Sequence, residues 1–149
     1  MPLVADLVHI GATIGMHVME RGDGRCVIRW DAPPEYGFPT ASGQIIHGGM
    51  VSTVLDSAMG GAAWSVLTGP EVFLTADLRV EFYRATRPGP LVALGTVIKR
   101  TSRLVFCAGE LFDADGRLLA GGRCTQAVLP GEGAAGRPDP TTRDFDLRG

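Results

Sequence analysis

Several protein classes are excluded by what this chain of 149 residues lacks. It has three cysteines, Cys26, Cys107 and Cys124, an odd number with no CxxC spacing. That argues against a disulfide framework and against a zinc site, so no metal is expected. Cys107 and Cys124 fall in strand-like runs, where a reduced, buried thiol is the ordinary outcome. Lysine is nearly missing: of 14 basic residues only Lys99 is Lys, and the others are Arg. The formal charge is −2 at pH 7. A chain with no basic excess is a poor match for nucleic acid or an anionic membrane as its main partner. No run reaches the ~18 continuous apolar residues that a membrane span needs. The first residues, MPLVADLVHIGATIGM, are apolar. No Lys or Arg precedes them, and Asp6 and His9 interrupt them, so they do not read as a signal peptide. A soluble, cytoplasmic protein is expected. No internal repeat is visible.

What is present describes an ordinary globular domain. Hydrophobic residues make up 45% and charged residues 20%, which suits one domain of this length. The domain is expected over residues 1–130. Residues 131–149 are rich in Gly, Pro, Arg and Asp and are expected to form a flexible tail. Residues 2–11 read as a short amphipathic helix with Leu3, Leu7 and Ile10 on one side. Residues 16–31 read as a hairpin turning at Gly22-Asp23-Gly24. Residues 32–46, rich in Pro, Gly and Ser, read as a long loop of the kind that often carries function.

Residues 48–67 have the clearest helical period. Met50, Val54, Ala58, Ala62 and Val66 recur every four residues, and Val51, Leu55, Met59, Ala63 and Leu67 form the adjacent row. The other face, Ser52, Thr53, Asp56, Ser57, Gly60 and Trp64, has no Lys, Arg or Glu. The helix therefore reads as buried on nearly all sides, with one carboxylate. Thr68-Gly69-Pro70 stops it. Strands are expected over 72–84, 91–101, 104–112 and 118–128, with turns at Thr101-Ser102-Arg103 and at Asp113-Ala114-Asp115-Gly116. A sheet of about six strands must cover one face, and the long helix is the element to cover it.

Chemistry concentrates in His47-Gly48-Gly49 and Asp56. Two glycines at a helix start leave N–H groups open, and the helix dipole adds partial positive charge. Such a site would stabilise an oxyanion developing on a carbonyl. The Asp56 carboxylate could act as nucleophile or general base. Eight residues separate Gly48 from Asp56, which is ~12 Å along a helix axis. One carbonyl does not reach both. Two copies of the helix, antiparallel across a two-fold axis, would bring Gly48 of one to Asp56 of the other, so this chemistry predicts a dimer with two shared sites.

The string GQIIHGGMVSTVLDSAMGGAAW resembles the hotdog-fold acyl-CoA thioesterases of the PaaI-like and 4-hydroxybenzoyl-CoA type. The stretch LTADLRVEFYRATRPGPLVALGTVIKRTSRLVFCAGELFDADGRLLAGGRCTQAV carries the resemblance through the strands. Together it covers about residues 16–129. The resemblance implies an α+β hotdog fold, an antiparallel sheet of about six strands wrapped around a long central helix. It implies hydrolysis of an aryl-CoA, such as phenylacetyl-CoA, or of a medium-chain acyl-CoA to free acid and CoA. Gly48 would supply the oxyanion-hole N–H, with Asp56 acting from the other subunit. His47 would hold the carbonyl or shape the site, and Thr75 would orient the attacking water. It also implies homodimers, commonly paired into homotetramers, with no cofactor beyond the CoA of the substrate.

Many such proteins have Asn or Gln six residues before the His. Here that position is Ala41, and Ser42 and Gln44 are the polar candidates nearby. Gly49 belongs to the same turn. Met59, Gly60 and Trp64 are candidates to line the substrate pocket, although Met and Trp at helical spacing equally fit a core. Arg100 and Arg103 are candidates for CoA phosphates against the alternative of a solvated surface. Competing readings are a non-catalytic acyl-CoA binder and a hotdog hydratase or dehydratase. The HGG and Asp56 spacing argues against the second. DNA binding is disfavoured because the residues before the first strand carry only Asp6 as a charge.

Overall fold

The computed structural model describes residues 9–131. Most of the expected tail and residues 2–8 of the expected first helix lie outside them. Where that helix was expected to end, a short helix α1 (Ile10–Ile14) is found instead. His9 caps it by accepting from Ala12 N–H, and the Trp30 indole N–H donates to Ile14 O at 2.8 Å.

The hairpin follows as expected, with strand β1 (Met16–Gly22) and strand β2 (Arg25–Ala32). Asp23 and Gly24 have φ of 50° and 76°. Two left-handed residues in a two-residue loop match the right-handed twist of the flanking strands. The segment expected to be an irregular loop is partly ordered. It holds a 3-10 turn (Pro34–Tyr36) and a small hairpin of strands β3 (Gly37–Thr40) and β4 (Gly43–Ile46). Pro39 masked β3, because proline argues against a strand except where its missing N–H is not needed.

Helix α2 (Gly48–Trp64) follows. It ends three residues sooner than its apolar period suggests, and Val66 and Leu67 continue in turns. Strands β5 (Val72–Phe82), β6 (Gly89–Arg100), β7 (Leu104–Asp113) and β8 (Leu118–Leu129) complete the chain. Six strands form one antiparallel sheet in the order β1-β2-β6-β7-β8-β5. β5 and β6 are consecutive in the chain but not paired, because β5 crosses to the far edge and lies against β8.

Helix α2 packs on the inner face of this sheet. Val51, Val54, Leu55, Ala58, Met59, Ala62 and Ala63 are buried, whereas Ser52, Thr53, Asp56 and Ser57 are half-buried and Trp64 is exposed. The second face of the helix is therefore partly open in the single chain, not covered on nearly all sides. Full burial of each large apolar side chain contributes about 1.5–3 kcal/mol.

A row of glycines sets the height of the helix. Gly95, Gly109 and Gly122 are paired across β6, β7 and β8. A Cβ at Gly95 would overlap the Ala58 carbonyl. A Cβ at Gly109 would stand 3.1 Å from Met59 Cγ, and one at Gly122 would stand 3.3 Å from Met59 Cε. The helix backbone rests almost on the sheet backbone. Overpacking a tight contact costs about 1–3 kcal/mol. Gly95→Ala is expected at about 3 kcal/mol, since backbone cannot swing aside. Gly22→Ala, with nothing within 4 Å of the added methyl, should change stability little. Urea unfolding of both variants checks the contrast.

Candidate active site

The start of α2 is shaped by His47. Its Nδ1 accepts from Gly49 N–H at 2.9 Å, and its carbonyl accepts from Met50 and Val51 N–H at 2.9 and 3.2 Å. Of the first helical N–H groups, only that of Gly48 has no partner among the described residues. Gly49 is thus spent on the cap, and His47 holds the turn so that the Gly48 donor stays open. A Cβ at Gly48 would stand 3.3 Å from the Phe82 ring. Gly48 lines a cavity of about 350 Å³ with Phe38, Ile45, Phe82 and Arg84.

Asp56 lies two turns further on. Its Oδ1 accepts from Thr75 Oγ1 at 2.9 Å. Thr75 is on the edge strand β5, directly before an irregularity between Thr75 and Asp77. Asp56 and Thr75 line a different cavity, of about 440 Å³, with Gly60, Trp64 and Phe73 among its walls. The Trp64 and Phe73 rings meet edge to face with centroids 6.2 Å apart. One chain therefore holds an open N–H in one cavity and a carboxylate with its hydroxyl donor in another. A third hollow, of about 300 Å³, lies on the outer face of the sheet beside Arg79, Glu81, Glu110 and Arg123; it shares Tyr83 with the Gly48 cavity and no residue with the Asp56 cavity.

The other candidate residues divide. Gly60 and Trp64 line the Asp56 cavity. Met59 does not, because it is fully buried over Gly109 and Gly122 and serves as core. Ser42 sits at the β3–β4 tip, where Arg87 donates to its carbonyl at 2.9 Å and to its Oγ at 3.3 Å. Arg87 also donates to the Gln44 carbonyl at 3.3 Å. The Gln44 side-chain oxygen is buried without a partner among the described residues. Neither residue lines the Gly48 or the Asp56 cavity. Arg103 lies in the β6–β7 turn, where its carbonyl accepts from Val128 N–H. Arg100 is engaged within the chain: it meets both Glu71 oxygens at 2.8 Å and the Val66 carbonyl. Phosphate binding by Arg100 would first have to break that pair.

Sequence reasoning missed Phe73, Phe82 and Arg87. Each acts through strand register or a turn contact rather than through a motif. His9, which interrupts the apolar N-terminal run in the sequence, lines the Asp56 cavity at the α1 cap. The cysteines are free and buried. A hydrogen bond to Cys124 together with burial holds the Cys107 thiol protonated, and burial pushes Cys26 up. Neither offers a thiolate nucleophile. Among the described residues, no group of three or more His, Cys, Asp or Glu could hold a metal ion, and no helix is long and apolar enough to cross a membrane.

A six-stranded antiparallel sheet packed around one long helix is the hotdog fold. The thioesterase superfamily model matches residues 43–120, and the chain belongs to that superfamily. A candidate esterase of Saccharolobus solfataricus is 28% identical over 107 residues, which is 72% of this chain and 74% of that protein. The crystal structure of a thioesterase family protein from Silicibacter pomeroyi is 27% identical, with a TM-score of 0.75, over 82% of this chain and 90% of that one. A phenylacetic acid degradation-related protein from Ralstonia eutropha JMP134 has a TM-score of 0.72 at 22% identity, over 85% of this chain and 92% of that one, and speaks for the fold alone.

The Arg100–Glu71 pair gives a pH prediction. Hydrogen bonds from Arg100 and then from Thr68 lower the Glu71 carboxyl from 4.5 to about 2. A carboxyl depressed by folding stabilises fully above its unfolded value, and that stabilisation is lost as pH falls through the folded one. Tm should therefore fall between pH 4.5 and about 2. Glu71→Gln should flatten that part of the profile, as thermal melts across the range would record.

Proposed function

We propose that this chain hydrolyses an acyl-CoA thioester to free acid and CoA, in active sites shared between two copies of α2. The observation that carries the proposal is the separation of the half-sites. The open Gly48 N–H and the Asp56–Thr75 pair are eight residues apart on one rigid helix, ~12 Å along its axis. A two-fold axis that sets two α2 helices antiparallel would bring each N–H to the partner's carboxylate.

The edge strand supports such a pairing. β5 is 11 residues long and unpaired on its outer side, and it exposes Val72, Leu74, Leu78 and Phe82. A long apolar edge with open N–H and C=O groups is a template for another strand. Pairing β5 with its copy would extend the sheet and lay the two α2 helices side by side. A homodimer is the smallest working unit, and a pair of dimers is a further step open to it. A substrate of this kind places the protein in the cytoplasm.

The chemistry then needs no group beyond the protein and the CoA of the substrate. Asp56 attacks the thioester carbonyl, or takes a proton from a water that does. Thr75 donates to Oδ1 and fixes the direction of the carboxylate. The carbonyl oxygen gains charge and is met by the Gly48 N–H at the helix start. The C–S bond breaks, and CoA leaves as thiolate and takes a proton. Where water attacked, the acid forms directly; where Asp56 attacked, water then cleaves the acyl–Asp56 anhydride, which frees the acid and restores the carboxylate. The apolar wall of Trp64 and Phe73 beside Asp56 accepts an aryl or medium-chain acyl group.

CoA release from aryl- and alkyl-CoA thioesters should fall about 10²–10⁴-fold in Asp56→Asn, the usual range for loss of an acid–base group. Thr75→Val should lower kcat up to about tenfold, one hydrogen bond's worth, with Thr75→Ser restoring it. Turnover unchanged in a folded Asp56→Asn protein would refute the proposal. Tight binding of thioesters without turnover would instead mark an acyl-CoA binder.

A further inference from the structure

The Asp56 cavity also holds a cation that the reaction does not use. Arg21 lines it, and its position comes from a β-bulge. Along β1, Met16 pairs with Trp30 and Val18 with Ile28, and the buried Trp30 and Ile28 face α2. Strict alternation would turn Glu20 to that same inner face next. The register shifts between Val18 and Glu20, so Arg21 is the residue paired with the buried Cys26 instead. Paired residues share a face of a sheet. The bulge therefore exchanges a carboxylate for a guanidinium on the inner face, and bulges are common where a side chain must be re-aimed.

Two neighbours support this placement. Glu20 is paired with Arg25, which leaves Arg21 without an ion-pair partner among the described residues. On α2, Gly61 lies against Cys26, where a Cβ would stand 2.5 Å from Sγ, and the arginine stem passes beside it, with Arg21 Cδ 3.7 Å from that position. Gly61 is five residues from Asp56, which is ~7.5 Å along the helix axis. The lining also carries Trp64, Phe73, Val18 and Ile28. The cavity thus combines apolar walls with Asp56 and, a short acyl group away, a cation that has no ion-pair partner among the described residues.

We propose that Arg21 is a specificity-determining residue that selects acyl groups ending in a carboxylate, such as the monothioester of a short dicarboxylic acid or of an aryl dicarboxylic acid. The inference rests on the hydrolase reading above. With the thioester carbonyl at Asp56, the distal carboxylate would reach Arg21, and a planar guanidinium suits a carboxylate better than an ammonium does. A neutral acyl group would leave the exposed guanidinium to solvent and gain no ion pair.

The test compares substrates matched in length: adipyl-CoA against hexanoyl-CoA, and the terephthalate monothioester against benzoyl-CoA. Wild type should favour the carboxylated member of each pair by about tenfold in kcat/KM, as a hydrogen-bonded charge pair gives. Arg21→Met should abolish that preference, and Arg21→Lys should keep part of it. No preference in wild type would overturn the proposal. So would a preference that survives in Arg21→Met while both rates fall together, because Arg21 would then serve the phosphates common to every CoA thioester. If no thioester is hydrolysed at all, the hydrolase reading fails, and binding to the Asp56→Asn protein still decides this inference. The carboxylated thioester should bind that protein more tightly, and Arg21→Met should remove the difference. Equal binding would overturn it.

Discussion

Helix α2 lies directly on the sheet because three paired strands offer hydrogen atoms where other sequences offer side chains. Gly95, Gly109 and Gly122 form one row beneath Ala58 and Met59. That contact fixes the height and rotation of the helix, and with them what faces the core and what faces away. Val51, Leu55 and Met59 point down into the core. Asp56 is left on the flank beside β5, within reach of Thr75. A looser helix could turn, and the carboxylate would lose its hydroxyl partner. Packing here is part of the chemistry, because a closely seated helix holds its polar groups in fixed directions.

The same rigidity divides the site. A straight helix cannot bend its start toward its middle, so the open Gly48 N–H and the Asp56 carboxylate serve separate cavities in one chain. Symmetry offers a solution that needs no distortion. A two-fold axis pairs unlike ends of identical helices and creates two sites at once. The open edge of β5 would meet its copy in the same step and cover apolar side chains on both faces, since Leu74 is 64% exposed and Phe82 54%. The opposite edge, β1, is shorter and bulged, which is how natural sheets discourage further pairing.

Much of this was legible in the sequence, for reasons specific to certain residues. The period of α2 was plain because its apolar rows run unbroken from Met50 to Ala63. The turns at Asp23-Gly24 and at residues 113–116 were plain because glycine and aspartate tolerate those conformations. The HGG and Asp56 spacing pointed to a site because a helix has a known rise. What stayed hidden depends on register and on contacts distant in the chain. Pro39 concealed the β3–β4 hairpin. The crossing of β5 to the far edge leaves no local mark. Nothing in the β1 string MHVMERG tells which of Glu20 and Arg21 faces inward, since one extra residue in a bulge decides it. Met59 and Trp64 have the same helical spacing, yet one fills the core and the other walls a cavity, because only the first lies over the glycine row.

The measurement that bears most directly on the shared site is complementation between two inactive variants. Asp56→Asn removes the carboxylate. Gly48→Pro removes the open N–H at a first helical position, where proline is well tolerated. His47 precedes it with φ −59° and ψ 134°, a conformation that a following proline accepts. Each protein alone should release almost no CoA. Unfolded and refolded together in equal amounts, half of the dimers would be mixed, and each mixed dimer would hold one intact site of two. Activity should return to about a quarter of wild type, as random pairing across a two-fold axis requires. A mixture as inactive as its components, although mixed dimers form, would show that each site is built within one chain and would contradict the account.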